Sequence, residues 1–174
     1  LEGFRRKCKF AFYCSDVSGA FDRVDCKHLL GKLRAMQIQA ALLNLIKAWL
    51  DDREAIVIVN GEKSKHMPLS DMLFQGTVLG PTLWNAFYSD AAKAIRDADF
   101  REIVFADDLN SHKEYPNSAP LPQLLHDMQK CQNSLHAWGR ANCVAFDPGK
   151  ESMHVISRSQ PHGSSFKLLG VEFD

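Results

Sequence analysis

KCKFAFYCSD, residues 7–16, alternates in character along its whole length. Cys8, Phe10, Phe12, Cys14 and Asp16 share one face, and Lys7, Lys9, Ala11, Tyr13 and Ser15 share the other. A period of two with aromatic residues predicts a β-strand. The face that carries both phenylalanines reads as the apolar side, yet it closes on Asp16, a poor residue for packing. A second short apolar run, EIVFA at 102–106, predicts another strand and also runs straight into carboxylates, Asp107 and Asp108.

Helices and hairpins surround these two strands. Asp25 is placed to cap a helix through about Met36. Ile38, Ala41, Leu42, Leu45, Ile46, Trp49 and Leu50 recur at spacings of three and four, which predicts an amphipathic helix with that stripe inward. AIVIVN at 55–60 leads into Asn60-Gly61, a favoured hairpin turn, with a return strand from about Lys65 to Leu69. After Gln75-Gly76, one helix is expected to carry Leu79, Leu83, Ala86, Phe87, Ala91, Ala94 and Ile95. Residues 109–113 can return as the partner of the 102–106 strand. Pro116, Asn117, Ser118, Pro120 and Pro122 mark a loop. A long helix then runs from about Leu121 to Asn142, with Leu124, Met128, Cys131, Leu135 and Trp138 on one stripe. Two further strands, about 153–157 and 166–173, flank the turn-rich SQPHGSS. Long helices and short strands out of strict alternation indicate an α+β fold, with helices packed on a small antiparallel sheet.

Composition sets broad limits. With 174 residues the chain can bury a sizeable core, and 45% hydrophobic and 24% charged residues are ordinary for a globular domain. Lys plus Arg and Asp plus Glu both number 21, so there is no overall basic character, although Arg5, Arg6, Lys7 and Lys9 form a local cluster. Five cysteines, with no Cys-x-x-Cys pair, argue against a disulfide framework or a zinc knuckle and suit reduced thiols in an intracellular protein of the nucleus or cytoplasm. No apolar stretch approaches the roughly 20 residues of a membrane span, so no membrane partner is expected. The opening LEGFRRKCKF shows no signal pattern and reads as a chain joined partway. His28, His66, His112, His126, His136, His154 and His162 form no ligand pattern.

Taken singly, each aspartate is an ordinary turn residue. If the two strands are neighbours, however, two or three carboxylates converge at one sheet edge, and such a cluster needs a positive charge beside it. Mg²⁺ suits it, because that ion takes oxygen ligands, keeps waters and shares its shell with phosphates. A pair of such ions about 3.5–4 Å apart activates an attacking hydroxyl and stabilises a leaving oxygen, which is the chemistry of phosphoryl or nucleotidyl transfer.

The surrounding residues resemble a known family. SDVSGAFDRVD (15–25) resembles motif A of reverse transcriptases, FQGTVLGPTLWNAFYSDA (74–91) motif B, FADD (105–108) motif C, FDPGKESMHVIS (146–157) motif D and FKLLGVEFD (166–174) motif E. The five occur in the family's order over most of the chain, and the wording is most similar to that of non-LTR retrotransposon polymerases. The resemblance implies a right-hand polymerase palm with part of the fingers, acting as an RNA-directed DNA polymerase on an RNA template, a DNA primer and dNTP. It implies two Mg²⁺ ions, with Mn²⁺ as a substitute.

Roles follow by position. Asp16 and Asp107 match the carboxylates that bridge both metals, Asp108 the third carboxylate, and Val17 the residue whose carbonyl contacts the nucleotide-bound metal. Phe21 matches the steric gate beneath the sugar, and Ala20 and its neighbours offer backbone N–H groups to the triphosphate. Gln75 and Gly76 match the turn lining the nucleotide pocket. Lys150 matches the lysine proposed to protonate pyrophosphate, and Leu168, Leu169 and Gly170 match the primer grip.

The pattern is departed from in three places. Phe74 stands where relatives carry Pro, Ser18 where many carry Lys, and Asp147 where Asn is common. N-terminal fingers and a thumb are expected from the parent polypeptide, and the 174 residues alone are expected to be a weak or inactive polymerase. Two other readings stand beside this one. One is a truncated or co-opted palm with a structural or interaction role, which the intact Asp16, Asp107 and Asp108 disfavour. The other is an RNA-dependent RNA polymerase, which Phe21 disfavours.

Overall fold

The computed structural model of the chain describes residues 8–69, 71–106, 108–168 and 171–173. In chain order the elements are β1 (Lys9–Ser15), a 3-10 turn (Ala20–Arg23), α1 (Cys26–Ala35), α2 (Ala40–Leu50), β2 (Glu54–Ala55), β3 (Ile58–Val59), β4 (Glu62–Lys63), β5 (Met67–Pro68) and α3 (Gly80–Tyr88). Then come α4 (Ala91–Asp97), β6 (Arg101–Phe105), β7 (Asp108–Tyr115), α5 (Leu121–Ala141), β8 (Ser152–Ile156), β9 (Phe166–Leu168) and β10 (Val171–Phe173). They form two compact units. One is built from the residues up to Ser18 together with those from Ser89 onward, and the other spans Gly19–Tyr88. Among the described residues no helix is long and apolar enough to cross a membrane.

The first unit is organised by a four-stranded antiparallel sheet in the order β6-β7-β1-β8. β1 is a central strand, with Tyr13 opposite Ser111 of β7 on one side and Met153 of β8 on the other. The two faces of β1 are used contrary to expectation. Lys9, Ala11, Tyr13 and Ser15 are the deeply buried set, whereas Phe10 and Phe12 are only half-buried. The first set faces α5: the Ser111 hydroxyl meets Cys131 Sγ of α5 at 3.6 Å, and the Tyr115 hydroxyl, level with Lys9, donates to Asp127 of α5 at 2.8 Å. Polar residues survive there because each finds a partner. The Lys9 ammonium donates to the carbonyl of Ala119 at 2.7 Å and to Gln160 at 2.9 Å.

The phenylalanine face packs instead on the C-terminal hairpin. The Phe12 ring lies 5.7 Å from Phe166 and 6.4 Å from Phe173, and these two stack on each other at 5.2 Å. His112 and His154, level with Phe12 on either side, join this aromatic layer, stacking on Phe12 at 5.9 Å and on Phe166 at 4.0 Å. Burial holds both imidazoles below their ordinary pKa, so they sit in the layer as neutral rings. The segment expected as one strand over 166–173 is therefore a two-stranded antiparallel ladder, Val171 opposite Leu168 and Phe173 opposite Phe166.

α5 supplies most of the helical cover, burying Leu124, Met128, Cys131, Leu135 and Gly139. Gly139 allows the following chain to turn back tightly. A Cβ there would meet the carbonyl oxygen of Val144 at 2.7 Å and Phe146 at 2.8 Å, while Val144 N–H donates to the Gly139 carbonyl at 2.8 Å. Gly139→Ala is expected to destabilise the chain by about 1–3 kcal/mol through this overpacking, despite alanine's better helix propensity. Urea denaturation measures this directly, and an unchanged or raised midpoint contradicts it.

The helix expected over 79–95 is two helices. α3 stops at Tyr88 and α4 starts at Ala91, with Asp90 at the N-cap of α4 and its carboxylate bound by the Trp138 indole N–H at 2.8 Å. The Asp90 carboxylate makes no capping bond to α4; it is taken up by the indole of Trp138 instead.

In the second unit Asp25 caps α1 as expected, its carboxylate accepting from His28 N–H at 2.8 Å. Leu29, Leu30 and Leu33 of α1 are buried, as are Leu83, Trp84 and Phe87 of α3, which packs against it. The inward stripe of α2 is Leu43, Ile46 and Leu50, whereas Leu42 and Leu45 are 48% and 64% exposed. Both stripes are apolar, so periodicity alone does not choose between them; packing against α1 does. The Asn60-Gly61 hairpin forms as expected, with φ of 51° and 85° at the two turn residues, but its return strand begins at Glu62, opposite Val59.

Candidate active site

Asp16 lies one step beyond β1, where Ser15 pairs with Leu109. Carrying that register one residue further sets Asp16 level with Asp108, the first residue of β7. Both lie on the phenylalanine side of the sheet, the side that also holds the β9–β10 hairpin. Two carboxylates thus meet at one end of the two central strands. Cys14, two residues back on the same face, has its thiol pushed up to about 11 by burial, with the Asp108 charge adding to the effect. β6 and β7 meet with Phe105 opposite Asp108, and Ala106 between them holds a left-handed φ of 55°. Asp107, expected as a principal carboxylate, lies outside the described residues, as do Leu169 and Gly170 of the expected primer grip. Leu168 ends β9, opposite Val171.

The segment after Asp16 is bound to the chain that precedes β8. Asp147 N–H donates to the Asp16 carbonyl at 3.0 Å, Ser18 N–H donates to the Ala145 carbonyl at 2.9 Å, and Val17 bridges Phe146. In such an antiparallel bridge the flanking residues make the bonds, so the Val17 carbonyl turns to the other edge, the side of β7. The following loop closes on itself: the Asp147 carboxylate accepts from Gly149 N–H at 2.9 Å, and the Asp147 carbonyl accepts from the N–H groups of Lys150 and Glu151. Asp in place of Asn costs this turn nothing, since either side-chain oxygen can accept that bond. The loop brings Lys150 Nζ to 2.8 Å from Asp16 Oδ2. The Asp16 side chain is 18% exposed and that of Lys150 is 61% exposed.

A hard divalent cation fits this donor set. The ligand atoms are carboxylate and carbonyl oxygens, and Asp16 already draws one cation, the Lys150 ammonium.

The residues expected to line a nucleotide pocket, Ala20, Phe21, Gln75 and Gly76, belong to the second unit. Gly19, with φ of 71°, opens the 3-10 turn that carries Ala20 and Phe21. Ala20 is buried. The Phe21 carbonyl accepts from Leu73 N–H at 2.8 Å, and the half-buried Phe21 ring stacks on Trp84 at 5.4 Å. That hydrogen bond ties the 3-10 turn to the loop containing Gln75 and Gly76, both exposed, with Gly76 at φ of 82°. Gly80 fits closely against this loop: a Cβ there would lie 3.0 Å from both the Phe74 carbonyl and Thr77 Oγ1.

Phe74, in place of the usual Pro, is given a structural task. The Arg53 guanidinium lies over both the Trp49 ring (3.9 Å) and the Phe74 ring (4.4 Å), while Thr77 N–H and hydroxyl both donate to the Phe74 carbonyl. A cation–aromatic contact therefore anchors the approach to Gln75-Gly76. Arg53→Leu is expected to cost about 1–2 kcal/mol, two such contacts at roughly 0.5–1 each, read as a lowered denaturation midpoint. A loss below a few tenths contradicts it. Arg53, Trp84, His136 and Glu151 escape sequence reading, because each acts through a partner distant in the chain.

A family model described as reverse transcriptase (RNA-dependent DNA polymerase) matches residues 5–173. The chain therefore belongs to the reverse transcriptase family, and its α+β sheet-and-helix architecture is that of a polymerase palm. It is similar to the RNA-directed DNA polymerase from mobile element jockey of Drosophila funebris, 31% identical over all of this chain and 20% of the relative. The jockey polymerase of Drosophila melanogaster is 25% identical over 91% of this chain and 19% of its own length. A probable RNA-directed DNA polymerase from transposon BS of Drosophila melanogaster is 27% identical over 93% and 19%. These relatives make the chain one of the non-LTR type, and it spans about a fifth of their length. Among solved structures, apo telomerase from Candida tropicalis truncated from its C-terminal domain shares the fold, with a TM-score of 0.67 at 12% identity over 95% of this chain and 34% of that one.

Proposed function

We propose that the chain is the palm, with part of the fingers, of a mobile-element RNA-directed DNA polymerase that extends a DNA primer on an RNA template. One observation carries the reading: Asp16 and Asp108 flank the last pair of the β1–β7 ladder, Ser15 opposite Leu109, with the Lys150 ammonium on Asp16. In this reading Asp16, Asp107, Asp108 and the Val17 carbonyl would hold two Mg²⁺ ions, for which Mn²⁺ could substitute. Such ions supply Lewis-acid stabilisation to the attacking and departing oxygens.

The chain's own residues do the rest. Backbone N–H groups around Ala20 bind the triphosphate. Phe21 lies under the sugar and excludes a 2′-hydroxyl, so dNTP is the substrate. Gln75 and Gly76 line the nucleotide pocket, where glycine permits close backbone approach. Lys150 gives a proton to the departing pyrophosphate. Leu168, Leu169 and Gly170 hold the primer end. Template sequence is read by base pairing, so protein contacts to the nucleic acid are mostly to its backbone. Remaining fingers and a thumb belong to the longer polypeptide, which works inside the cell.

The test is Mg²⁺-dependent dNTP incorporation on an RNA template by the full-length polypeptide, with Asp107→Ala as control. Incorporation that the substitution abolishes supports the reading. A folded, full-length protein that incorporates nothing replaces it with a co-opted, structural role.

A further inference from the structure

The geometry points to Glu151 as a positioning residue that sets Lys150 on Asp16, held in turn by Tyr13, Gln132 and His136. The inference rests on the polymerase reading above and deepens it.

The ion pair between Lys150 and Asp16 is a weak positioner by itself. Its lysine is 61% exposed on a flexible stem, and pairs of that kind contribute little and hold no single geometry. Something else must fix the loop. The next residue, Glu151, has a side chain only 7% exposed, so its carboxylate is costly to bury unless donors surround it. Three do. The Tyr13 hydroxyl donates to Oε1, His136 Nε2 lies 2.7 Å from the same oxygen, and Gln132 donates to Oε2 at 3.4 Å.

These donors come from rigid places. Tyr13 is fully buried in the central strand, and Gln132 and His136 are one turn apart on α5, the longest helix. The His136 ring lies flat on Phe146, 5.2 Å away with planes 2° apart, and Phe146 bridges Val17 just beyond Asp16. The same clamp therefore fixes both sides of the ion pair: Glu151 sets the Lys150 backbone, and His136 seats Phe146, the residue bridged to Val17. With Glu151 immobile and the amides of Lys150 and Glu151 both on the Asp147 carbonyl, the lysine stem has one direction to leave the loop.

The test is a double-mutant cycle on primer extension by the full-length polypeptide, with kcat and KM for dNTP measured for Glu151→Gln, Lys150→Leu and the pair. His136→Leu and His136→Gln are assayed alongside, and thermal midpoints are recorded for all. Glu151→Gln is expected to lower kcat about 10–100-fold, the usual loss when an orienting partner is removed, with KM within about threefold. In the Lys150→Leu background it is expected to cost nothing more, because a residue acting through another has no effect once that other is gone. His136→Gln, which keeps an N–H donor, should retain most of the rate that His136→Leu loses.

Losses that multiply in the double variant, or that follow the thermal midpoints instead of Lys150, overturn the positioning role while leaving the polymerase reading intact. A parent active with or without Lys150 also overturns it alone. A folded parent that incorporates nothing overturns both.

Discussion

Asp16→Asn in the full-length polypeptide is expected to lower kcat for dNTP incorporation by at least about 10²–10³-fold, the scale seen when one group that stabilises transition-state charge is removed. The substitution is isosteric and changes one thing, the negative charge. Asn keeps an oxygen that can accept from Lys150, so the contact at 2.8 Å can persist. The main-chain bonds that seat the residue, through its carbonyl to Asp147 N–H, do not involve the side chain. Stability should therefore change little, by no more than about 1 kcal/mol for an ion pair with one exposed partner. A large kinetic loss with a small shift in denaturation midpoint is the diagnostic combination. A kcat within about threefold of the parent would remove Asp16 from the site and sink the two-carboxylate reading. Parallel assays across Mg²⁺ concentration add a second readout: the variant should need more metal to reach its own maximum.

The second large effect is on choice of sugar. Phe21→Ala is expected to reduce the preference for dNTP over rNTP by about 10–100-fold, the range over which a pocket discriminates by shape. The ring is fixed for such a task. Its backbone carbonyl is tied to Leu73 N–H, and one face rests on Trp84 at 5.4 Å. The half-exposed remainder of the ring is what a sugar would meet. Truncation also removes packing against Trp84 and will lower stability. The ratio of kcat/KM for the two nucleotides in one preparation is insensitive to that loss, since both substrates sample the same folded fraction. An unchanged ratio would make Phe21 an ordinary packing aromatic of the Trp84 cluster.

Legibility differed from one part of the chain to another for identifiable reasons. α1 and α5 could be read because capping and a stripe repeated over several turns are local signals. The Asn60-Gly61 turn could be read because few residue pairs tolerate positive φ at both positions. The inward face of β1 could not. Alternation predicts that two faces differ, but a sheet covered on both sides buries each, and the helix side here is lined by Lys9, Tyr13 and Ser15 with partners supplied by β7, α5 and distant loops. Nor could the partner of Asp90, at the break between α3 and α4, be read: it is the indole of Trp138, nearly fifty positions away.

By itself the sequence determined the family and the chemical inventory: aspartates at strand ends, an aromatic five residues after Asp16, a Gln-Gly turn and Lys150 in the fourth of the five motifs. All of these follow from residue type and short spacing, which a linear chain displays in full. Only the tertiary structure decided which carboxylates are level, which cation rests on Asp16, what immobilises the loop bearing that cation, and how Phe74 serves in place of Pro. Those facts are strand registers and contacts between residues tens to more than a hundred positions apart. They exist only once the sheet has closed, because pairing partners are chosen by packing and by hydrogen-bond satisfaction across the whole core.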